Sequence, residues 1–467
     1  MNGGHDVGSA DLEEVGWGSD AKDQPAPAVL RGPGRRLLTV VPGERPPYAS
    51  VQVQGSKNAF LSVAAVALAS DDSIFHLSRV PDIRDREAVL GILRDAGLDC
   101  HIEGDVLHAG GTARRGVIRE AHGRQLRQAI SYAAVLAAGV GSSVTHVSGG
   151  DAFVNRGIDL HLRVLEEAGA RCTLDTATGV LQIQFDRPPR PFDVSVRSPF
   201  GPPLVAPIGS LGATVTALLV AARANGTSTI RGISVEPEVS EVVEVLRGYG
   251  VVVATEGNTI QVTGTGGMCG AEMHYTLPPD RMEAGTYLLL GMARGTSVEL
   301  HGIERADMAR GLWDMVTASP VQVEDRDGAV RAVVDGPIVA SDVTTGPHPE
   351  FPTDLQPQVA ALLTQADGES VVTEAAYARR TSHVSQLSRL GADIELRGCS
   401  QWIRGPQALA GGQATVTDIR CGAALLIAAA VADGPSHLCD AGHLTRGYSN
   451  LAEKLARFGV ALMERGS

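Results

Sequence analysis

Seven basic residues of this sequence stand beside places where a loop gives way to a helix-like run. They are Lys57 in VQVQGSKNA, Arg127 in LRQAISYAA, Arg156 in VNRGIDLHL, Arg281 in PPDRMEAGTY, Arg380 in ARRTSHVSQL, Arg420 in TDIRCGAAL and Arg446 in LTRGYSNL. A helix N-terminus already offers unpaired N–H groups and a partial positive charge, so a cation there is unfavourable until an anion joins it. One such residue alone would be read as a solvated loop charge or the partner of a nearby carboxylate. Seven in recurring positions predict a strongly anionic ligand. The chain itself is acidic, with 40 Lys plus Arg against 53 Asp plus Glu and a net charge of −13. Such a field repels nucleic-acid phosphates and argues against a nucleic-acid partner.

Other chemistries lack their residues. There is no G-x-x-x-x-G-K-[ST], no G-x-S-x-G and no H-E-x-x-H, so P-loop phosphoryl transfer, an elbow-type serine hydrolase and a zincin have no support. GTGGMCG after Val262 is a glycine cluster read as a turn. The six cysteines, Cys100, Cys172, Cys269, Cys399, Cys421 and Cys439, are widely spaced without a C-x-x-C pair. That pattern speaks against a thiolate zinc cage or a disulfide scaffold and for a reducing, cytoplasmic setting.

The elements that must position the basic residues are legible as an internal repeat. Six segments share one plan, an amphipathic helix ending at glycine, a short strand, a polar turn and a second strand. They read LGILRDAGLDCHIEGDVLH, LRVLEEAGARCTLDTATGVLQIQ, VEVLRGYGVVVATEGNTIQVTG, LWDMVTASPVQVEDRDGAVRAVV, LSRLGADIELRGCSQWIRG and LAEKLARFGVALMERGS. The glycines are Gly97, Gly169, Gly250, Gly391 and Gly459, and the fourth copy has Ala-Ser-Pro instead. A helix C′ position wants φ > 0, which glycine adopts without a Cβ clash. Between these units lie small-residue helices such as SKNAFLSVAAVALAS, GSLGATVTALLVAA, DRMEAGTYLLLGMA and DIRCGAALLIAAAVA, as expected for helices packed inside a layer. A chain of 467 residues with 43% hydrophobic and only 4% aromatic residues is large enough for two cores of an α/β protein. Six units suggest two three-unit domains.

The uncharged stretches from Ala129 and from Ser198 are long enough to raise a membrane span, but Gly, Pro and Ser clusters break them and they are read as core helices. No membrane insertion is expected. Residues 1–46 mix Gly, Pro, Asp and Glu without an apolar period and predict a disordered tail with no secretory signal.

The order of segments GSKNA, GGDAFVNRGIDLH, GSLGATVT, EPEVSEVVEVL, LPPDRMEAGTY, PHPEFPTDLQPQ, RTSHVSQLSRLGAD, TDIRCGAAL and TRGYSNLAEKL resembles the enolpyruvyl transferases, over nearly everything from Val51 onward. The likeness is to the branch acting on UDP-N-acetylglucosamine, since the LGNAGTA-like segment of the shikimate 3-phosphate branch does not occur. The resemblance implies an inside-out α/β barrel in each of two domains, with residues 57–278 forming the first and 47–56 plus 279–467 the second. It implies transfer of the enolpyruvyl group of phosphoenolpyruvate to a nucleotide hydroxyl with loss of phosphate, using no metal or organic cofactor. Lys57, Arg156 and Arg446 would then hold the phosphate and carboxylate of phosphoenolpyruvate, with Arg380 and Arg420 nearby, because guanidinium groups pair bidentately with both. Asp354 and Asp418 match carboxylates at the reacting hydroxyl, and either could serve as base, although Asp418 also stands where an N-cap is expected. Asp151 occupies a position where many relatives carry the cysteine that protonates C3 and is alkylated by fosfomycin. Asp there retains a proton donor and predicts insensitivity to that epoxide.

On the acceptor side the resemblance assigns Asn58 to the sugar. It assigns Arg127, Arg156, Gly157, Ile158, Asp159, Leu160, His161, Ser210, Leu211, Asp354 and Ala376 to the uridine nucleotide. His161 is also read as an ordinary local hydrogen-bonding group. Four positions depart from the family's pattern: Ile208 for Lys, Ala378 for Glu, Gly157 for Pro and Ser131 for Trp. The phosphoenolpyruvate side keeps its residues. The favoured acceptor is the 3-hydroxyl of UDP-N-acetylglucosamine, in peptidoglycan precursor synthesis. The departures open an alternative, a paralogue acting on uridine monophosphate or another nucleotide in nucleoside-antibiotic synthesis. A third reading is a non-catalytic sensor of phosphoenolpyruvate or nucleotide.

Overall fold

The computed structural model describes residues 36–147, 157–197, 209–270, 272–440 and 442–465. Among them, twelve helices of six or more residues alternate between two kinds. In chain order they are α1 (Lys57–Val63), α2 (Arg84–Ala96), α3 (Ala129–Val140), α4 (Asp159–Glu167), α5 (Leu211–Arg223), α6 (Pro237–Gly248), α7 (Arg281–Arg294), α8 (Arg310–Thr317), α9 (Gln356–Leu363), α10 (Ser382–Ser388), α11 (Ile419–Ala430) and α12 (Leu451–Ala456).

The odd-numbered helices are the small-residue runs. Every residue of α11 is buried, and α3 packs on α5 as α9 packs on α11. Alanine and glycine are needed there because such helices approach one another closely and have no solvent face. The even-numbered helices are amphipathic. In α2 the buried residues Ala88, Val89, Ile92, Leu93 and Ala96 follow the i, i+3, i+4 spacing of one face. The repeated glycines all lie at positive φ, from 70° at Gly459 to 105° at Gly97, as the helix-ending role demands.

Each unit wraps its helices with a small sheet. In the fifth unit, strand Val343–Thr344 runs parallel to Gly368–Thr373, and Ser400–Gly405 and Asp393–Arg397 follow as an antiparallel pair. The first and third units repeat this order, and the second has three strands. Strands of three units surround one hydrophobic core, spanning Ala59 to Leu277, and the other three surround a second, built from Leu38–Val53 and Met282–Val460. The fold is thus mixed α/β in two parts, with sheets outside and helices within.

The disordered tail expected over residues 1–46 does not extend that far. Residues 1–35 lie outside the described residues, but Arg36–Pro42 is a strand between Ser436–Asp440 and Val460–Arg465. In the last unit Arg36–Pro42 takes the place that the second hairpin strand holds in the others. The sequence RLLTVVP was too short to show a period, and its value lies in pairing two strands it cannot be seen beside. Within the described parts of the stretches that raised a membrane span lie α3 and α5. No helix among the described residues is long and apolar enough to cross a membrane.

The chain passes between the two parts twice, around residues 52–57 and 276–281. These crossings pair with each other: Ser56 N donates to Pro278 O at 2.8 Å, Asp280 N donates to Gln54 O at 2.9 Å, and Gly55 bridges Pro279. Gly55 is required by contact, since a Cβ there would lie 1.7 Å from the carbonyl oxygen of Arg79.

Candidate active site

The first crossing delivers Lys57 to the start of α1, where Ser56 caps the helix by accepting from Ala59 N. Its ammonium lies 3.2 Å from Oδ2 of Asp85, in the first turn of α2. From the other part of the molecule Arg446 reaches the same carboxylate, its Nε donating to Oδ1 at 2.8 Å and its Nη2 to Oδ2 at 3.3 Å. Arg446 Nη2 also donates to Gln125 O at 3.3 Å. Asp85 is buried and joins two cations from opposite sides of the cleft.

A second carboxylate does the same work on the second part. Asp354, in the short turn Thr353–Leu355 before α9, accepts from Arg380 Nη1 at 2.8 Å and from Arg420 Nη2 at 2.8 Å. Arg380 also donates to the carbonyl of Thr353. Burial alone would lower the Arg420 guanidinium, and Asp354 more than offsets it, so the group stays charged. Asp280, Glu374 and Asp418 stand close by as well, so the four cations are held by carboxylates of the protein itself, and guanidinium groups so gathered are suited to pair with a compact polyanion.

Three residues that the sequence did not single out organise this arrangement. Glu374, fully buried, accepts from Thr345 Oγ1, Thr353 Oγ1, Ala376 N and Tyr377 N at 2.8–2.9 Å. It therefore fixes the turn bearing Asp354 relative to the loop leading to Arg380. Burial raises its pKa, with Arg380 opposing. Gln54 on the first crossing donates to Gly447 O at 2.9 Å and accepts from Ser449 N at 3.1 Å, holding the segment after Arg446. Asp280 caps α7 and accepts from Lys57 N at 3.0 Å, so the two crossings also share a cap.

Asp418 is an N-cap. Its Oδ1 accepts from Arg420 N and Cys421 N, both at 2.9 Å, and its Oδ2 from Ser382 Oγ at 2.8 Å and Thr417 Oγ1 at 3.1 Å. The capping role that the sequence allowed is the one the geometry shows, and it holds the backbone at Arg420.

On the acceptor side, Asn58 follows Lys57 in the first turn of α1. Arg127 Nη2 donates to Gly157 O at 3.4 Å, bringing together two elements assigned to the nucleotide. Gly157 and Asp159 are exposed, Ile158 and Leu160 half-buried, all at the start of α4. Ser210 caps α5 ahead of Leu211. Ala376 is half-buried on the loop held by Glu374. His161 behaves as an interior group. It is buried, its Nδ1 lies 2.8 Å from Thr216 Oγ1, and Thr216 is 2.9 Å from Ser131 Oγ. Burial, helped by Arg127, pulls its pKa down to about 3, so it is neutral. Ser131, where the family pattern has Trp, is therefore the end of a buried polar chain joining α3, α5 and α4.

Arg281, one of the seven basic residues, is taken up by a structural pairing with Glu236 at 2.6 Å and Glu238 at 3.2 Å. Asp151, Arg156 and Ile208 lie outside the described residues.

The fold is thus two three-unit α/β parts, with Lys57 and Arg446 joined on Asp85 between them and Arg380 and Arg420 joined on Asp354. Comparison with known proteins places it in a family. The model of EPSP synthase (3-phosphoshikimate 1-carboxyvinyltransferase) matches residues 43–455. A UDP-N-acetylglucosamine 1-carboxyvinyltransferase of Halothermothrix orenii is 32% identical over 90% of this chain and 98% of its own. A second, of Listeria monocytogenes, is 30% identical over 90% and 96%. Among solved structures, the enolpyruvyl transferase NikO from Streptomyces tendae superposes with a TM-score of 0.81 at 24% identity, covering 92% of this chain and 99% of that one. An EPSP synthase from Acinetobacter baumannii gives 0.70 at 17% identity, covering 92% and 100%. The chain belongs to the EPSP synthase family of enolpyruvyl transferases, and it is an enzyme of enolpyruvyl transfer.

Proposed function

We propose that this enzyme transfers the enolpyruvyl group of phosphoenolpyruvate to the 3-hydroxyl of UDP-N-acetylglucosamine, releasing phosphate. The observation that carries the reading is the pairing of Lys57 with Arg446 on Asp85, beside Arg380 with Arg420 on Asp354. The acceptor rests on similarity to proteins named for that substrate at 30–32% identity.

In this reading Lys57, Arg156 and Arg446 hold the phosphate and carboxylate of phosphoenolpyruvate, and Arg380 and Arg420 add positive charge on the far side. The sugar hydroxyl adds to C2 while C3 takes a proton from Asp151, giving a tetrahedral phospholactoyl adduct. Loss of a proton from C3 then reforms the double bond as the C2–O bond to phosphate breaks. The hydroxyl's own proton goes to a carboxylate, Asp354 or Asp418; both oxygens of each already accept hydrogen bonds, Asp354 from two guanidinium groups and Asp418 from two backbone N–H groups and two hydroxyls. Asn58, Arg127, residues 157–160, Ser210, Leu211 and Ala376 would hold the sugar nucleotide.

A second acceptor, uridine monophosphate, is favoured by the departures from the family's pattern at Ser131, Gly157, Ile208 and Ala378, of which Ser131 ends the buried polar chain and Ala378 is exposed. Phosphate release from phosphoenolpyruvate, measured separately with UDP-N-acetylglucosamine and uridine monophosphate and with product masses read alongside, decides between them. Turnover on the sugar nucleotide supports the first reading, and preference for the monophosphate overturns it. Silence with both, while phosphoenolpyruvate still binds, would point to an acceptor other than these two.

A further inference from the structure

Four of the chain's 13 histidines, His76, His101, His108 and His274, stand in one row on four strands. His274, His76, His108 and His101 are directly opposed on the four neighbouring strands Glu272–Thr276, Ser73–Ser78, Val106–Gly111 and Asp99–Glu103. Opposed residues share a face of a sheet, and here it is the outer one, because the flanking Phe75, Leu77, Leu107 and Ala109 are buried in the core. The rings are in contact along the row, with centroids 4.4 Å apart for His76–His274, 4.8 Å for His76–His108 and 5.0 Å for His101–His108.

A carboxylate stands at each end. Glu272 Oε1 is 3.1 Å from His76 Nε2 and 3.2 Å from His274 Nε2, while Glu103 Oε2 is 4.0 Å from His108 Nε2. We propose that His76, His274 and Glu272 form a binding site for a divalent transition-metal ion of the zinc type, outside the catalytic cleft. Two nitrogens and one carboxylate oxygen are the donors such an ion prefers. Ligand atoms about 2.0–2.2 Å from a tetrahedral ion are roughly 3.3 Å from one another, close to the separations here.

The rest of the row supplies the outer support. His76 Nδ1 lies 2.7 Å from His108 Nδ1, so one ring donates and the other accepts. If His76 donates, its Nε2 carries the lone pair a metal needs, and His108 is left with Nε2–H on the side of Glu103. A metal-bound imidazole hydrogen-bonded through its other nitrogen is the usual arrangement of such sites. The Glu272 end is preferred over the Glu103 end because there both nitrogens approach one oxygen. His274 and Glu272 are exposed, leaving a fourth position for water.

The site has a structural consequence. Strand Glu272–Thr276 joins a sheet whose other strands lie about 160 or more residues earlier and runs straight into the second crossing at residues 276–281. An ion held by His76 and His274 would pin that strand to Ser73–Ser78 and favour the folded chain by mass action.

The test is a zinc chloride titration of chelator-treated, full-length protein by calorimetry, with thermal melting alongside. Binding of a single Zn2+ per chain and a rise in Tm are expected. Glu272→Gln and His274→Ala should each weaken binding about 10-fold or more, while His301→Ala, on another sheet, should not. These side chains are on the surface, so circular dichroism and enolpyruvyl transfer should be unchanged in the variants. Absence of zinc binding up to millimolar concentration, or unchanged affinity in His76→Ala/His274→Ala, would show that the row is only a set of cross-strand hydrogen bonds and overturn the proposal.

Discussion

Asp85 and Arg446, 361 residues apart in the chain, meet across the cleft with Arg446 Nε donating to Asp85 Oδ1 at 2.8 Å. Because Lys57 shares the other oxygen at 3.2 Å, one buried carboxylate orients two cations that the two parts contribute separately. Replacing it by an amide keeps the shape and removes the charge. Asp85→Asn should lower kcat by about 10-fold or more, without raising KM for phosphoenolpyruvate, because the cleft becomes more positive as its cations lose their alignment. A raised KM at unchanged kcat would sink this role. Lys57→Ala should cost on the order of 100-fold or more in kcat/KM if the ammonium stabilises developing negative charge; near-wild-type kinetics would remove that assignment.

Gly55 sits where the two crossings pair, and its missing Cβ makes room for the Arg79 carbonyl. Backbone cannot swing aside as a side-chain tip can. Gly55→Ala should therefore destabilise the protein by about 1–3 kcal/mol, the usual range for overpacking. Gly434→Ala, where a Cβ meets nothing within 4 Å, is the matched control. Equal urea midpoints for the two variants would contradict the account.

His161 in the first part and His383 in the second are both buried, and burial pulls their pKa values down to about 3 and about 4. The unfolded chain therefore takes up protons that the folded one refuses once pH falls below about 6.5. The stability each contributes is complete above that pH and is lost progressively toward the folded values, at up to about 1.4 kcal/mol per pH unit for each. Glu283, raised by burial to about 7, acts in the opposite sense, its contribution being lost as pH rises through 7. It is common to wild type and variant and cancels in their difference. Between pH 7 and 5, His383→Gln should lose about 2 kcal/mol less stability than wild type in urea melts. Parallel pH dependences would refute the assignment.

Asp151 predicts fosfomycin insensitivity, because a carboxylate is a far poorer nucleophile toward an epoxide than a thiolate. Mass spectrometry of protein incubated with fosfomycin should show no adduct, and Asp151→Cys should become labelled. Covalent labelling of the wild-type chain would end this prediction.

The sequence by itself determined the local parts. Helix-ending glycines at Gly97, Gly169, Gly250, Gly391 and Gly459 marked the units because positive φ is a property of single residues. The basic residues at helix starts stood out because an N-terminal cation is anomalous wherever it occurs, although Arg281 turned out to be paired with Glu236 and Glu238. The motif order carried the family. The tertiary structure decided what depends on distant partners. Arg36–Pro42 is a strand because it pairs with Ser436–Asp440 and Val460–Arg465, about 400 residues away, and Asp85 resembles any acidic residue in a first helical turn until Arg446 arrives beside it. Glu374 and Gln54 carry no local signal, since their significance lies in whom they hold. His161, assigned to the nucleotide by motif, is drawn into a buried chain by α3 and α5. The histidine row exists only in the sheet, because register across four strands, and not spacing along one, makes those residues neighbours.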